Sequence, residues 1–290
     1  MRGTLNRFTG CTECQMQETT KTRMPTGIAS LDPILDGGVP PGSMILLLGE
    51  IGAGHYEFAY SSTVNSLACM SHPHDAGTVC PAKILYITFT RLEADVRHEI
   101  IQSFHADGVT EGMTAIQFED LSDLYFDRSI VPDSWYSHSN TLTRLQKRSE
   151  HANIFMRLAD IFAAAEPGSM IILDSITDIA TQTALPNLWA DLTGFLRGLQ
   201  RLSKTRSLTI YLLLSKGIIE PAQESELADI ADAVFLFRWE ESSGSRRQRV
   251  MFFEKFRGVM PHLEEQDLVK FAVRISTTGG FEVSNIRMVI

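Results

Sequence analysis

The 290-residue sequence contains no apolar run approaching the roughly 20 residues that a helix needs to cross a bilayer, so no segment reads as a membrane helix and a soluble protein is expected. Its opening stretch, MRGTLNRFTGCTECQMQETTKTR, lacks the apolar core and small-residue cleavage site of a leader peptide. The expected compartment is therefore the cytoplasm. Positive charge is scarce: 26 Lys and Arg stand against 35 Asp and Glu, a formal net charge of -9. That balance opposes non-specific attraction to nucleic acid. Internal repeats and low-complexity tracts are missing too, which leaves one main globular core as the simplest organisation.

Cysteine is also sparse, with four in the chain. Cys11 and Cys14 form one C-x-x-C in a polar tail, half of the four ligands that a structural zinc site takes. Cys69, His72, His74 and Cys80 make a ligand-rich set whose spacing matches no zinc module, so they are weak metal candidates and no metal is expected. In a reducing compartment free surface thiols are expected, and a Cys69–Cys80 disulfide is not. One basic cluster exists, Arg246, Arg247 and Arg249. Flanked by Ser242, Ser243, Gly244 and Ser245, it reads first as a solvated hairpin loop and second as a binding patch.

What is present is a pattern of short apolar runs alternating with stretches of helical period, the mark of a parallel sheet covered by crossover helices. Residues 44–48, 84–89, 114–118, 170–173 and 208–214 lack polar alternation, so each is expected to be a central strand. Leu188, Leu192, Phe195, Leu196, Leu199 and Leu202 recur at three- and four-residue steps and predict one amphipathic helix. From residue 234 the character changes: 234–237, 250–256, 271–275 and 281–283 read as strands joined by turns at 243–244 and 279–280. The expected fold is α/β, a mainly parallel sheet flanked by helices with an antiparallel C-terminal extension. Residues 119–151 read as a surface excursion, 1–25 as a polar N-terminal extension and 26–290 as a single domain.

After the first strand, Gly49-Glu50-Ile51-Gly52-Ala53-Gly54-His55-Tyr56 keeps both glycines of the phosphate-loop spacing G-x-x-x-x-G-K-[ST]. The glycines let consecutive backbone N–H groups point at phosphates while the helix N-terminus adds positive potential. The two chemical positions differ. His55 stands where a lysine would carry permanent charge to the phosphates, and its ordinary pKa is near 6.5. Tyr56 stands where a short hydroxyl would meet Mg²⁺, and its oxygen lies at the far end of a ring. The segment reads either as a glycine-rich strand-to-helix turn or as a residual nucleotide or anion site. ATP and Mg²⁺ are accordingly doubtful cofactors.

Thr26-Gly27-Ile28-Ala29-Ser30-Leu31-Asp32 and Leu35-Asp36-Gly37-Gly38-Val39-Pro40-Pro41-Gly42-Ser43, leading into the first strand, resemble the entry to the KaiC and RadA branch of the RecA-like ATPases. The resemblance resumes at residues 84–89, at the Walker B-like run ending in Asp174 and Ser175, and at Glu254-Lys255-Phe256-Arg257-Gly258 followed by His262. It implies a RecA-type core in which Asp174 holds the Mg²⁺ shell. The family's paired glutamates, which activate the attacking water, align with Thr90 and Arg91, so no catalytic residue is expected. Glu93 or Asp95 substitutes only if the following loop is rebuilt. The autophosphorylated Ser-Thr pair aligns with Ala228 and Asp229, so that activity is not expected either.

Lys255 and Arg257 keep the spacing of the family's Lys-x-Arg finger, which reaches a neighbouring subunit's nucleotide, while the plainer reading is a pair of surface cations on a strand. The expected function is thus a KaiC-like regulatory, signalling or scaffold subunit that has lost ATP hydrolysis, in a homo-oligomeric ring or with an active paralogue. The alternatives are a divergent slow ATPase and, behind it, a DNA-recombination ATPase.

Overall fold

The computed structural model describes residues 22–71, 77–104, 112–127, 129–136, 153–183, 186–242 and 246–285. The apolar runs become strands β1 (Met44–Gly49), β2 (Ile84–Thr88), β3 (Ile116–Asp120), β4 (Met170–Asp174) and β5 (Thr209–Ser215), followed by β6 (Ala233–Ser242), β7 (Arg246–Phe256), β8 (Lys270–Ser276) and β9 (Gly280–Asn285). They form one sheet in the order β3-β2-β4-β5-β1-β6-β7-β8-β9. Pairing is parallel from β3 across to β6 and antiparallel from β6 to β9. This is the expected fold class.

Two placements differ from expectation. The run at 234–237 was expected within the antiparallel extension, yet β6 pairs in parallel with β1, with Leu46 opposite Val234. The reason is visible in its composition. Val234 packs into the core on one face of the sheet and Phe235 into the core on the other, the two-sided burial of a parallel strand. The strand near 114–118 was expected to be central, but β3 is the sheet edge. Gln117 is exposed and Glu119 half-buried, and they alternate with Ile116 and Phe118, so the outer strand does carry polar alternation.

Helices α1 (His55–Ser71), α2 (Glu93–Ser103), α3 (Ser122–Phe126), α4 (Ile154–Ala164), α5 (Ile176–Gln182), α6 (Pro186–Arg206), α7 (Pro221–Ile230) and α8 (Met260–Glu265) cover the sheet. Alternate residues of β1 divide between two cores: Ile45 and Leu47 join one, and Met44, Leu46 and Leu48 join the other. The predicted amphipathic helix is α6, with Leu192, Leu196 and Leu199 buried. The excursion after β3 contains the short helix α3, and its residues 137–151 lie outside the described residues.

Helix α1 decides where the phosphate loop sits, and three contacts hold it. Phe58 packs edge-on against Tyr211, Phe235 and Phe281, with ring centres 5.3–5.9 Å apart. Ser62 Oγ donates to the Thr26 carbonyl at 2.5 Å, and Asn65 Nδ2 donates to the Gly27 carbonyl at 2.6 Å. The Thr26–Gly27 turn is itself tied by Asp32, which accepts from both backbone amides and from the Thr26 hydroxyl. Phe58 thus joins the parallel half of the sheet to β9. Phe58→Ala is expected to lower unfolding free energy by about 3–5 kcal/mol, read from the urea midpoint.

Candidate functional site

The loop from Gly49 to Tyr56 leaves the C-terminal end of β1 and enters α1 at its first residue, His55. Gly52 and Gly54 have φ of 71° and 113°, a backbone region that side chains rarely enter. Gly49 is required for space, because a Cβ there would collide with the His55 ring.

His55 is 2% exposed, and neither ring nitrogen has a hydrogen-bond partner. Its ring centre lies 4.5 Å from that of Tyr56 and 6.3 Å from that of Phe237. Burial lowers its pKa to about 4, so the ring is neutral at pH 7. The expected weak charge at this position is thereby accounted for.

Asp174 ends β4 and is 1% exposed. It accepts a hydrogen bond from the Tyr86 hydroxyl at 2.9 Å and one from Arg91 Nη1 at 3.1 Å. The same guanidinium donates to the Tyr60 hydroxyl at 2.6 Å and pairs with Glu99 on α2. It also lies 6.0 Å from the centre of the Tyr56 ring. Burial pushes the Asp174 carboxyl up to about 6, against the pull of Arg91 and Tyr86 towards the charged form. The carboxylate therefore remains mostly ionised at neutral pH, beside a fixed cation. Burial, then the charges of Asp174 and Asp178, hold the Tyr56 hydroxyl above its ordinary range. Glu93, one possible replacement base, is instead bonded to Arg97 at 2.7 Å.

The outer side of the loop is held by the β6–β7 hairpin. Glu50 Oε2 accepts from the Trp239 backbone amide at 2.9 Å, Trp239 Nε1 donates to the Ile51 carbonyl at 3.1 Å, and Arg249 Nε donates to the Gly52 carbonyl at 2.9 Å. The guanidiniums of Arg247 and Arg249 lie 4.9 and 4.6 Å from the Trp239 ring centre. This corrects the first reading of the basic cluster as a solvated loop: Arg247 and Arg249 lie on β7 and stack on an aromatic side chain. The signal was the alternation of Arg247 and Arg249, which puts both on one strand face.

The structure thus brings together Gly49, Gly52, Gly54, His55, Tyr56 and Asp174. Lys255 and Arg257 are elsewhere, since Lys255 lies opposite Val234, well down β6 from the loop. Lys255 Nζ donates to the carbonyls of Ala228 and Asp229 at 2.9 and 2.6 Å, and Arg257 Nη2 donates to the Asp229 carbonyl at 2.8 Å. Both cations close the C-terminal end of α7.

A second correction concerns the cysteines. Cys69 and Cys80 form a disulfide, with Cα atoms 5.8 Å apart, because the last turn of α1 and the approach to β2 return to each other. Their thiols are therefore not metal ligands here. Cys11, Cys14, His72 and His74 lie outside the described residues. Sequence reasoning placed Arg91 at the base position without identifying its partner, and it missed Tyr60, Tyr86 and Trp239.

The family model described as "ATPase: KaiC" matches residues 24–268. A DNA repair and recombination protein RadA of Metallosphaera sedula is 29% identical over 185 residues, 55% of this chain and 55% of that protein. The chain spans about half the length of the curated relative it matches. The crystal structure of a KaiC-like protein from the hyperthermophilic archaeon Pyrococcus horikoshii is similar at a TM-score of 0.59 and 19% identity, covering 91% of this chain and 99% of that one. At that identity the likeness is one of fold. Among the described residues no helix is long and apolar enough to cross a membrane.

Two measurements test the site. Since the pKa of His55 falls from 6.5 unfolded to about 4 folded, the unfolded chain binds the extra proton, and stability is lost as pH drops from 6.5 towards 4. Relative to His55→Phe, the wild-type chain is expected to lose about 3 kcal/mol of unfolding free energy between pH 7 and pH 4. Arg91→Met leaves Asp174 buried beside no cation, and denaturant titration at pH 7.5 is expected to show a loss of about 3 kcal/mol.

Proposed function

The chain belongs to the KaiC family of ATPases, and from that premise we propose that this member does not hydrolyse ATP and acts through contacts with other protein chains, as a regulatory, signalling or scaffold subunit. The observation that carries the reading is the Arg91 guanidinium on Asp174. In phosphoryl transfer the carboxylate at the end of the buried strand organises the magnesium shell, and a base positions the attacking water. Here one arginine stands at the position of the base and neutralises the carboxylate.

The residues present do not fit a magnesium ion. Asp174 is engaged by Tyr86 and Arg91, and residue 56 offers a phenol in place of a short hydroxyl. No step is therefore routed through a metal. The neutral His55 likewise brings no permanent charge to a phosphate. Loss of a positioned base costs about 10² to 10⁴ in rate by itself, and loss of electrostatic stabilisation a similar factor again. In this reading Lys255 and Arg257 belong to the face that a neighbouring copy in a ring, or an active paralogue, would meet. The name of the archaeal RadA relative brings DNA recombination into view. The net charge of -9 and the partial coverage of that relative favour the protein-contact reading.

The test is steady-state phosphate release from Mg-ATP by the purified full chain, beside Asp174→Asn. No release above blank is expected from either protein, and calorimetry is expected to register no micromolar Mg-ATP binding. Turnover by the wild-type chain that Asp174→Asn abolishes would replace this reading with that of a slow ATPase.

A further inference from the structure

Where β2, β4 and β5 begin, a cavity of about 430 Å³ opens between α4 and the strands β2 and β3, a volume within the range of small-molecule sites. Leu85 of β2 and Ile161 of α4 form its apolar wall. Lys83 directly precedes β2, Ser169 directly precedes β4, and Arg206 lies three residues before β5; all three line the cavity. Main-chain bonds lash these starts together. The Met170 amide donates to the Lys83 carbonyl at 2.9 Å, the Gly168 amide to the Arg206 carbonyl at 2.9 Å, and the Thr209 amide to the Ser169 carbonyl at 3.0 Å.

The donors at this foot of the cavity are not used up by the fold. Ser169 is 2% exposed, and its hydroxyl has no hydrogen-bond partner among the described residues; a buried hydroxyl left unbonded is unfavourable. Lys83 Nζ pairs with Glu166 at 3.1 Å, but the two side chains are 61% and 50% exposed, and a solvated pair of that kind is weak. Arg206 Nη1 donates to the Ala163 carbonyl in the last turn of α4, a bond that takes one of five guanidinium donors. Two further carboxylates line the cavity away from the foot. Glu119 stands level with Ile87, three residues along from the first residue of β2, and is held by Arg157 at 2.9 Å. Asp160 lies about one turn back from the end of α4. At the foot itself, two cations and a hydroxyl face the single carboxylate of Glu166.

We propose that this cavity is a second ligand site, which takes a small organic phosphate monoester. Lys83 and Arg206 match the two negative charges of the phosphate, and the Ser169 hydroxyl donates to a further oxygen. The organic part of the ligand covers Leu85 and Ile161. Lys83 turns to the phosphate from a partner that water already screens, so little is lost at Glu166. Ser169 and Asp174 stand at opposite ends of β4, about 16 Å apart at the rise of a strand. The site therefore lies at the other end of the sheet from the glycine loop, and an occupant braces the starts of three strands and the end of α4 without touching that loop.

The experiment is calorimetric titration of the full chain, as wild type, Lys83→Ala and Ser169→Ala, with phenyl phosphate, inorganic phosphate and benzoate. Phenyl phosphate is expected to bind the wild-type chain with a Kd below about 1 mM. Inorganic phosphate is expected to bind at least about 10-fold more weakly, because it leaves the apolar wall uncovered, and so is benzoate, because it carries one charge. Lys83→Ala and Ser169→Ala are each expected to weaken phenyl phosphate about 10-fold or more. Without ligand, Ser169→Ala is expected to melt no lower than wild type, since the hydroxyl it removes is unbonded; this separates a role in binding from one in folding. Absence of phenyl phosphate binding up to about 10 mM overturns the proposal. So does an affinity that neither substitution changes, and equal binding of benzoate or of inorganic phosphate overturns the assignment to a phosphate monoester.

Discussion

An ionised carboxylate with 1% of its surface exposed, at the end of a strand in the middle of the sheet, must be neutralised where it stands. Asp174 imposes that demand, and three elements answer it. Strand β2 supplies Tyr86 and, three residues past its end, Arg91; α1 supplies Tyr60; α2 supplies Glu99, which balances the arginine from its other side. The ends of two strands and the flanks of two helices are thus fixed around one negative charge. A divalent cation entering this position would have to displace a guanidinium already held by a phenol and two carboxylates. The arrangement is a closed electrostatic unit, and on the proposed reading it is Arg91, more than the phosphate loop, that carries the argument about function.

The loop obeys the same logic with neutral groups. Protonating His55 would place a positive charge at the first residue of a 17-residue helix, next to the positive end of its dipole and away from water. The ring stays neutral and fills the space beneath the loop, which in turn requires glycine at position 49. The outward carbonyls of Ile51 and Gly52 are occupied by Trp239 and Arg249. The loop is packed from below by its own side chains and tied from outside by the hairpin.

How far the sequence predicted this depends on the range of each interaction. The buried strands were legible because two-sided burial makes a continuous apolar run, and α6 because its leucines repeat at helical spacing. The parallel pairing of β6 was not. Register between strands separated by well over a hundred residues leaves no local mark, and the apolar run at 234–237 fits either neighbour. Of the site, the glycines were legible from their spacing, and Asp174 only from the resemblance to the RecA-like ATPases. The Arg91–Asp174 pair was not, since it joins residues 83 positions apart and arises only when β2 and β4 lie side by side. The disulfide failed for a different reason. Free thiols were expected on the assumption of a reducing compartment, whereas the bond follows from the geometry at the two ends of one loop.

Lys255 and Arg257 show how a single pair of cations divides between two duties. The last carbonyls of α7 carry partial negative charge and lack partners within the helix, so cations there are favourable at about 0.3–1 kcal/mol each. Lys255, with 26% of its side chain exposed and bonded to two of these carbonyls, is committed to the cap. Arg257 makes one such bond, lies 3.9 Å from Asp232 and is 49% exposed. A guanidinium has five N–H donors, and one carbonyl leaves most of them facing outward. On the proposed reading it is therefore Arg257 that meets a neighbouring chain, while Lys255 holds α7 and the strand end in the position from which that contact is made.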